Sequence, residues 1–402
     1  MSLSKSFIQV SEILAITAIL HKIIPVKASS GYVTDFDGRP LMYKLNGLAT
    51  LVSVCSFYGY MGFKGVKSST YLYDSYGKCA ASASFLGILA SCIAFLHGKT
   101  RPGPDQKYSR AMTTDMTDRN GKIVNFPAMK PAVANGGLQV ALLDFFLGHV
   151  FNPRIAGIDI KMLLYTWGAV ILQLNLLSMW LKGRTANGGV SSRASTVYTC
   201  LFTWFVVEYM YHENVHLYTY DLFAEKIGFK LLWGCLFFYP FFYPIGGLPL
   251  AKFAPNANPK LAAKDLSTVS VVAITALFFS GWCITRGANL QKFEKKVNPE
   301  VKEYSFLGVK MSQETIPDTT ILTSGFWGFA RHINYFGEVL QAVALALPGS
   351  LTASSTTDGL LPWLYPLYYI ALFIPRERDD DKLCLAKYGD KWLAYRQRVP
   401  SR

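Results

Sequence analysis

Apolar residues in this chain do not mark one face of each element; they fill whole runs, at roughly 46–63, 79–97, 161–181, 196–211, 229–248, 268–285, 334–349 and 360–375. A helix needs about 20 consecutive apolar residues to cross a hydrocarbon core, and these runs reach or approach that length. Weaker runs at 8–26 and 136–151 bring the expected count to about eight to ten transmembrane helices. The pattern therefore predicts an all-α, polytopic membrane protein. The first run carries His21 and Lys22 late and no small-residue cleavage site, so it reads as a retained helix or anchor.

Two polar segments interrupt the pattern. GYVTDFDGRPLMYKLNG (31–47) is a Gly-rich loop leading into the first strong run, and residues 97–133 hold enough Gly, Pro and charge to lie outside the bilayer. From Arg286 onward, basic loops, Trp, Tyr and short apolar stretches alternate, which reads as a pocket open to the basic side. No internal repeat or second domain is marked.

Composition sharpens this picture. With 51% hydrophobic and 16% charged residues, the chain lacks the charged surface of a soluble domain. Its net charge of +14 is consistent with nucleic-acid binding in sign only, because the cations sit in loops beside the apolar runs and obey the positive-inside rule. Basic clusters at Lys182–Arg193, Arg286–Lys296 and Arg376 to the end place three loops on one, cytoplasmic, face, where a cytosolic cofactor meets them. The seven cysteines are scattered without a C-x-x-C pair, which indicates neither a disulfide framework nor a thiolate zinc site.

One short motif points elsewhere. His212-Glu213-Asn214-Val215-His216 fits H-E-x-x-H, in which two imidazoles one helical turn apart hold Zn²⁺ and the glutamate works on a metal-bound water. No third ligand stands at a characteristic spacing among His21, His97, His149 and His332, although a carboxylate is able to complete the set. An intramembrane zinc metalloprotease is thus an alternative reading, separable by bound zinc and chelator sensitivity.

The C-terminal third carries most of the chemistry, in NLQKFEKKVNP (289–299), LTSGFWGFARHINYFGE (322–338) and RERDDDKLCLAKYGDKWLAYRQRVP (376–400). With DGRPLMYKLNG (37–47) and DFFLGHVFNPRI (144–155), these blocks closely resemble the sterol reductase family of the endoplasmic reticulum. That family includes the sterol 14-reductases, the 7-dehydrocholesterol reductases and the lamin B receptor. The resemblance spans nearly the whole chain and implies a single sterol-reductase-like membrane domain over 1–402. Residues 1–285 supply transmembrane helices and part of the sterol pocket, and 286–402 bind the cofactor. It also implies NADPH as cofactor, a sterol substrate, no nucleic-acid partner, and residence in the endoplasmic reticulum membrane. About seven residues precede the first apolar run, which leaves no room for a chromatin-binding region such as the lamin B receptor carries. A non-catalytic sterol-binding protein is the remaining alternative.

The residues themselves suit the implied cofactor. Lys292 and Lys296, one helical turn apart, present two ammonium groups to a phosphate cluster, a spacing that a positive-inside flank shares. Trp327, Asn334 and Tyr335 offer a flat apolar surface, an amide and a phenol, as a nicotinamide and its carboxamide require, while Trp327 also fits an interfacial belt. Tyr388, Trp392 and Tyr395 share a helix face, which serves packing equally well. By resemblance, Lys292, Lys296, Leu322, Trp327, Asn334, Tyr335, Asp380, Cys384, Tyr388 and Tyr395 line the reduced nicotinamide cofactor. Lys296 stands where the family has arginine, and it gives up bidentate phosphate recognition.

An isolated carbon–carbon double bond is unpolarised, so the implied reaction is protonation of the sterol olefin followed by hydride transfer. The proton donor must be a carboxyl kept protonated by a low-dielectric site or coupled to a tyrosine. Carboxylates at membrane depth are costly and functional by default, which singles out Glu213 and Asp221, with Tyr243 in FFYPFFYPIGG as a relay. A loop carboxylate and a solvated helix end are the corresponding structural readings. Departures from the family occur at His149, Val150, Ala224, Cys235 and Phe326, leaving the reduced bond open between the 14,15 and 7,8 ring positions.

Overall fold

The computed structural model describes residues 2–34, 39–100, 137–150, 152–223, 225–258, 261 and 264–401. Most of the polar loop 97–133, Ala224 and part of the 31–47 loop lie outside the described residues.

All ten apolar runs are helical, as Leu3–Ile23, Gly47–Phe63, Tyr76–Thr100, Leu138–Leu147, Ile160–Ala186, Arg193–Tyr211, Phe229–Lys252, Thr268–Val297, Ile333–Leu351 and Leu364–Tyr388. Among the described residues strands are confined to three two-stranded antiparallel hairpins. Caps fix several helix starts: Asp159 accepts from the Met162 amide, Ser192 from Ser195, and Ser267 from Ser270. The chain is thus an all-α, multi-pass membrane protein.

The expected eight to ten crossings narrow on one criterion. Among the described residues five helices are long and apolar enough to span a bilayer, Leu3–Ile23, Tyr76–His97, Ile160–Ala186, Phe229–Lys252 and Thr268–Val297, with Gly47–Phe63 a shorter apolar helix. Arg193–Tyr211 loses hydropathy to Arg193 and Glu208, and Ile333–Leu351 to Asn334, Glu338 and Gln341. Leu364–Tyr388 ends in charge, and Leu138–Leu147 has only 10 residues.

The chain divides into two compact units between Asp265 and Leu266, with Thr352–Ser354 joining the first. In the N-terminal unit the Ile160–Ala186 helix is the core: 83% of its apolar window is buried, and the helices Leu3–Ile23, Gly47–Phe63, Arg193–Tyr211 and Phe229–Lys252 pack around it. The Phe229–Lys252 helix widens into a π segment over Gly234–Phe242, which contains Pro240. Proline has no N–H and its ring collides with the carbonyl one turn back, so the regular ladder breaks there. Pro244, one turn on, likewise has no N–H to offer Pro240 O, and at membrane depth that carbonyl needs another donor. Asn175 Nδ2 donates to Pro240 O at 2.8 Å, and the Tyr76 hydroxyl donates to Phe241 O.

The C-terminal unit is built on the Thr268–Val297 helix packed along Ile333–Leu351. Their backbones touch at two glycines: a Cβ on Gly281 would lie 2.6 Å from Gly337 O, and one on Gly337 would lie 2.6 Å from Gly281 O. Small residues permit this approach where lipid supplies no hydrophobic drive. Gly337→Ala is expected to destabilise the protein by about 1–3 kcal/mol through overpacking, read as a lower thermal midpoint in detergent. An unchanged midpoint would contradict this crossing. The Asp390–Arg398 helix then follows the Leu364–Tyr388 helix, and a hairpin pairs Glu303–Phe306 with Val309–Ser312.

Candidate active site

In the C-terminal unit, one helix end and the FWGFARHINY segment converge. Gln291, fully buried, accepts from the Phe326 amide at 3.0 Å and donates to Ser324 O at 3.1 Å. It clamps the turn at Gly325, whose φ of 61° is in the region glycine tolerates best. That turn presents Trp327, 6% exposed, whose indole donates to Ala288 O at 2.8 Å and packs with Leu322 and Ile333. The Lys292 ammonium lies 4.6 Å from the centre of the Trp327 ring, a cation–π contact. Lys292 and Lys387 both act electrostatically on Lys296, so three lysine side chains gather near one another, the first of them over the Trp327 ring.

The remaining residues of this patch are close by. Asn334 Nδ2 donates to Asn289 at 3.2 Å, while its Oδ1 is buried and accepts no hydrogen bond. Tyr335 stacks on Phe373 at 4.3 Å and on His332 at 5.0 Å, and its hydroxyl donates to Asp380 Oδ2 at 3.1 Å. Burial, then the Lys292 and Arg331 charges, lower the His332 pKa to about 4, so the ring is neutral at pH 7 and its buried Nε2 has no partner. Cys384 and Tyr388 pack against Ile316, Trp392, Tyr395 and Val399, and burial pushes the Cys384 thiol up to about 11. Tyr395 donates to Trp327 O at 3.3 Å.

Every residue expected to line a cofactor is therefore found in this unit. Three others were not singled out from sequence. Gln291 holds the turn. Lys387 completes the cation cluster. Arg331, 5% exposed, donates to Val399 O and Pro400 O at 2.9 and 3.0 Å and pins the C-terminal segment beneath the patch. All three lie within the three C-terminal blocks, where their charge or amide was visible but their contacts were not.

A second set of acids occupies the N-terminal unit. Glu213, 3% exposed, accepts from the Gly47 amide through Oε2 at 2.9 Å, and its Oε1 has no hydrogen-bond partner. It lines a cavity of about 660 Å³, and burial raises its pKa to about 7. Asp221 lies elsewhere in this unit. The wholly buried Lys161 donates to Asp221 O and Leu222 O at 3.1 and 2.9 Å, and the Asp221 charge acts on Lys161, Tyr165 and Cys235. Tyr243 sits edge-on to Tyr239 at 5.0 Å in the turn after the π segment.

The zinc reading loses its geometry. The Arg193–Tyr211 helix ends at His212 (φ −96°, ψ 34°), and Glu213–His216 forms a separate turn, so the motif never shares one helical face. His212 points back to Glu208 at 3.8 Å, and His216 contacts Tyr209 O at 3.0 Å with its ring 3.8 Å from the Tyr209 ring. Among the described residues no three His, Cys, Asp or Glu side chains are placed to hold a metal.

Comparison with known proteins agrees with the sequence blocks. The model of the ergosterol biosynthesis ERG4/ERG24 family matches residues 4–402. The Delta(14)-sterol reductase of Methylotuvimicrobium alcaliphilum is 29% identical over 369 residues, covering 91% of this chain and 75% of that protein. The Delta(14)-sterol reductase of Arabidopsis thaliana is 26% identical over 386 residues, 96% of this chain and 91% of that one. Delta(14)-sterol reductase LBR of Gallus gallus is 28% identical over 368 residues, 90% of this chain and 50% of that one. With the family model running from the first helix to the last block, this chain belongs to the ergosterol biosynthesis ERG4/ERG24 family of sterol reductases.

Proposed function

We propose that this protein reduces a carbon–carbon double bond of a sterol with NADPH, in sterol biosynthesis, in the endoplasmic reticulum membrane. The 14,15 ring bond is the favoured target, since the relatives from Methylotuvimicrobium alcaliphilum and Arabidopsis thaliana carry the name Delta(14)-sterol reductase. The observation that carries the cofactor assignment is the Lys292–Trp327 pair with Lys296 and Lys387 beside it.

The residues present fit a phosphorylated nicotinamide dinucleotide. Three ammonium groups suit its phosphates. The buried, unpaired Asn334 Oδ1 and neutral His332 Nε2 are acceptors for an amide donor. Trp327 and Tyr335 supply ring surfaces. When bound, the reduced nicotinamide supplies the hydride.

The proton has to come from this chain. Both hydrogens add to neighbouring carbons, so an acid next to the cofactor patch is the economical arrangement. Asp380, half-buried and hydrogen-bonded to the Tyr335 phenol, is a carboxyl coupled to a tyrosine inside that patch. We assign the proton transfer to this pair. The Asp380 proton forms the new C–H bond with the olefin π electrons, leaving a sterol carbocation that the hydride fills, and Asp380 is reprotonated from solvent through Tyr335. Asp380 was expected only among the cofactor-lining residues; Glu213 and Asp221 as acids, with Tyr243 as relay, are the candidates the sequence supplies in the N-terminal unit.

Cofactor binding is tested by Lys292→Ala. KM for NADPH is expected to rise roughly tenfold with kcat little changed, because a phosphate contact is equal in ground and transition states. An unchanged KM would remove the cation cluster from the cofactor site.

A further inference from the structure

The cavity beside Glu213 contains a second polar feature. Its walls are largely apolar, with Ile24, Leu48, Val52 and Met210 among them, but Asn46 and Glu213 also face it. Both are buried, at 4% and 3% exposure. Asn46 is fixed in orientation: its Nδ2 donates to His21 O at 3.0 Å and to Ile24 O at 2.9 Å. These two bonds consume its donors, leaving Oδ1 without a partner. Glu213 is held in the same way, with Oε2 on the Gly47 amide and Oε1 unpaired. Gly47 follows Asn46 in the chain, so one turn at the start of the Gly47–Phe63 helix positions both orphans.

Unpaired buried polar atoms are costly, and they persist where a ligand completes them. A neutral carboxylic acid offers a donor at Oε1, and Asn46 Oδ1 offers an acceptor. One alcohol oxygen satisfies both, accepting from the acid and donating to the amide. No anionic headgroup matches this pair, because no Lys, Arg or His among the described residues lines the cavity. We propose that this cavity is the binding site for the hydroxyl end of a lipid alcohol, held by Asn46 Oδ1 and the Glu213 carboxyl in walls that are largely apolar, with Ser53, Tyr211 and Asn214 the other polar side chains lining it. Its volume, about 660 Å³, is within the range of small-molecule sites. That the alcohol is a sterol rests on the reductase reading; the donor–acceptor pair does not.

The test is binding to the full chain in nanodiscs, using a 3-hydroxysterol diene, its 3-O-methyl ether and a long-chain fatty alcohol as probes, with NADPH-dependent turnover measured in parallel. The alcohol is expected to bind roughly tenfold or more tightly than the ether. Glu213→Leu and Asn46→Leu are expected to erase that preference, whereas Glu213→Gln, which keeps a donor, retains it and makes it independent of pH. The natural protein is expected to lose the preference as pH rises through about 7, where Glu213 ionises and its donor is lost. Competition by the fatty alcohol as strong as that of the sterol would support the site and assign it to lipid alcohols in general. Equal binding of alcohol and ether by the natural protein would overturn the proposal, even if sterol reduction proceeds. A clear preference without any turnover would sustain the site and defeat the reductase reading.

Discussion

Asp380→Asn is expected to lower NADPH-dependent sterol reduction by roughly 10²-fold or more, the usual scale for removing a positioned general acid. Asparagine keeps the shape and a hydrogen bond to the Tyr335 hydroxyl, which lies 3.1 Å from Asp380 Oδ2, but carries no transferable proton. NADPH affinity should change far less than turnover, so single-turnover kinetics separate the chemical step from binding. Tyr335→Phe keeps the stack on Phe373 and removes only the phenol, and a smaller loss of rate is expected there. The decisive comparison is with Asp221→Asn, Tyr243→Phe and Glu213→Gln. If one of these abolishes the chemical step while Asp380→Asn remains active, the acid belongs to the N-terminal unit instead.

The second large effect is on stability and follows from Glu213. Its carboxyl is 3% exposed, and burial raises its pKa from 4.5 to about 7. The direction is opposite to that of a salt-bridged carboxylate. Below about pH 4.5 both the folded and unfolded chains hold the proton. Between there and about pH 7 only the folded chain holds it, so stability falls as pH rises through this window and levels off above it. At about 1.4 kcal/mol per pKa unit the loss is about 3 kcal/mol. The thermal midpoint in detergent is expected to fall between about pH 5 and pH 8, and Glu213→Gln should flatten that part of the profile. A natural protein with no slope in this window, or a Gln variant with the same slope, would show that Glu213 is not the group responsible.

Much of the architecture was legible because lipid makes one demand of every crossing segment, and that demand is written in continuous apolar runs. All ten runs are helices. Which of them cross was harder to read, since helices such as Ile333–Leu351 trade apolar residues for polar ones, among them Asn334 and Gln341, which bond to the Thr268–Val297 helix. Pro240 stands in plain view in the sequence, but the π segment around it and the donors to the Pro240 and Phe241 carbonyls, Asn175 and Tyr76, which are distant in sequence, do not. Local pattern misled at His212–His216, where motif spacing presumed one helix and the backbone turns at His212 instead.

The candidate site shows the same division. Lys292, Trp327 and Asn334 were identifiable from residue type and block resemblance, because the chemistry of phosphate and amide recognition narrows the choice. The Asp380–Tyr335 pair was not visible as an acid, since its members are 45 residues apart and only the packing of two helices joins them. Gln291 looked like one more polar residue in a basic stretch until its two hydrogen bonds to the 324–326 turn were seen. The orphaned oxygens of Asn46 and Glu213 are likewise a property of three dimensions alone.

The most direct measurement uses the purified chain in nanodiscs with a 14,15-unsaturated sterol diene and NADPH carrying deuterium at the transferable position of the nicotinamide. The product is expected to gain one deuterium from the cofactor and one hydrogen from solvent on the adjacent carbon, with the reaction lost in Asp380→Asn. Folded protein that leaves the diene unchanged, or a product without cofactor-derived deuterium, would contradict it.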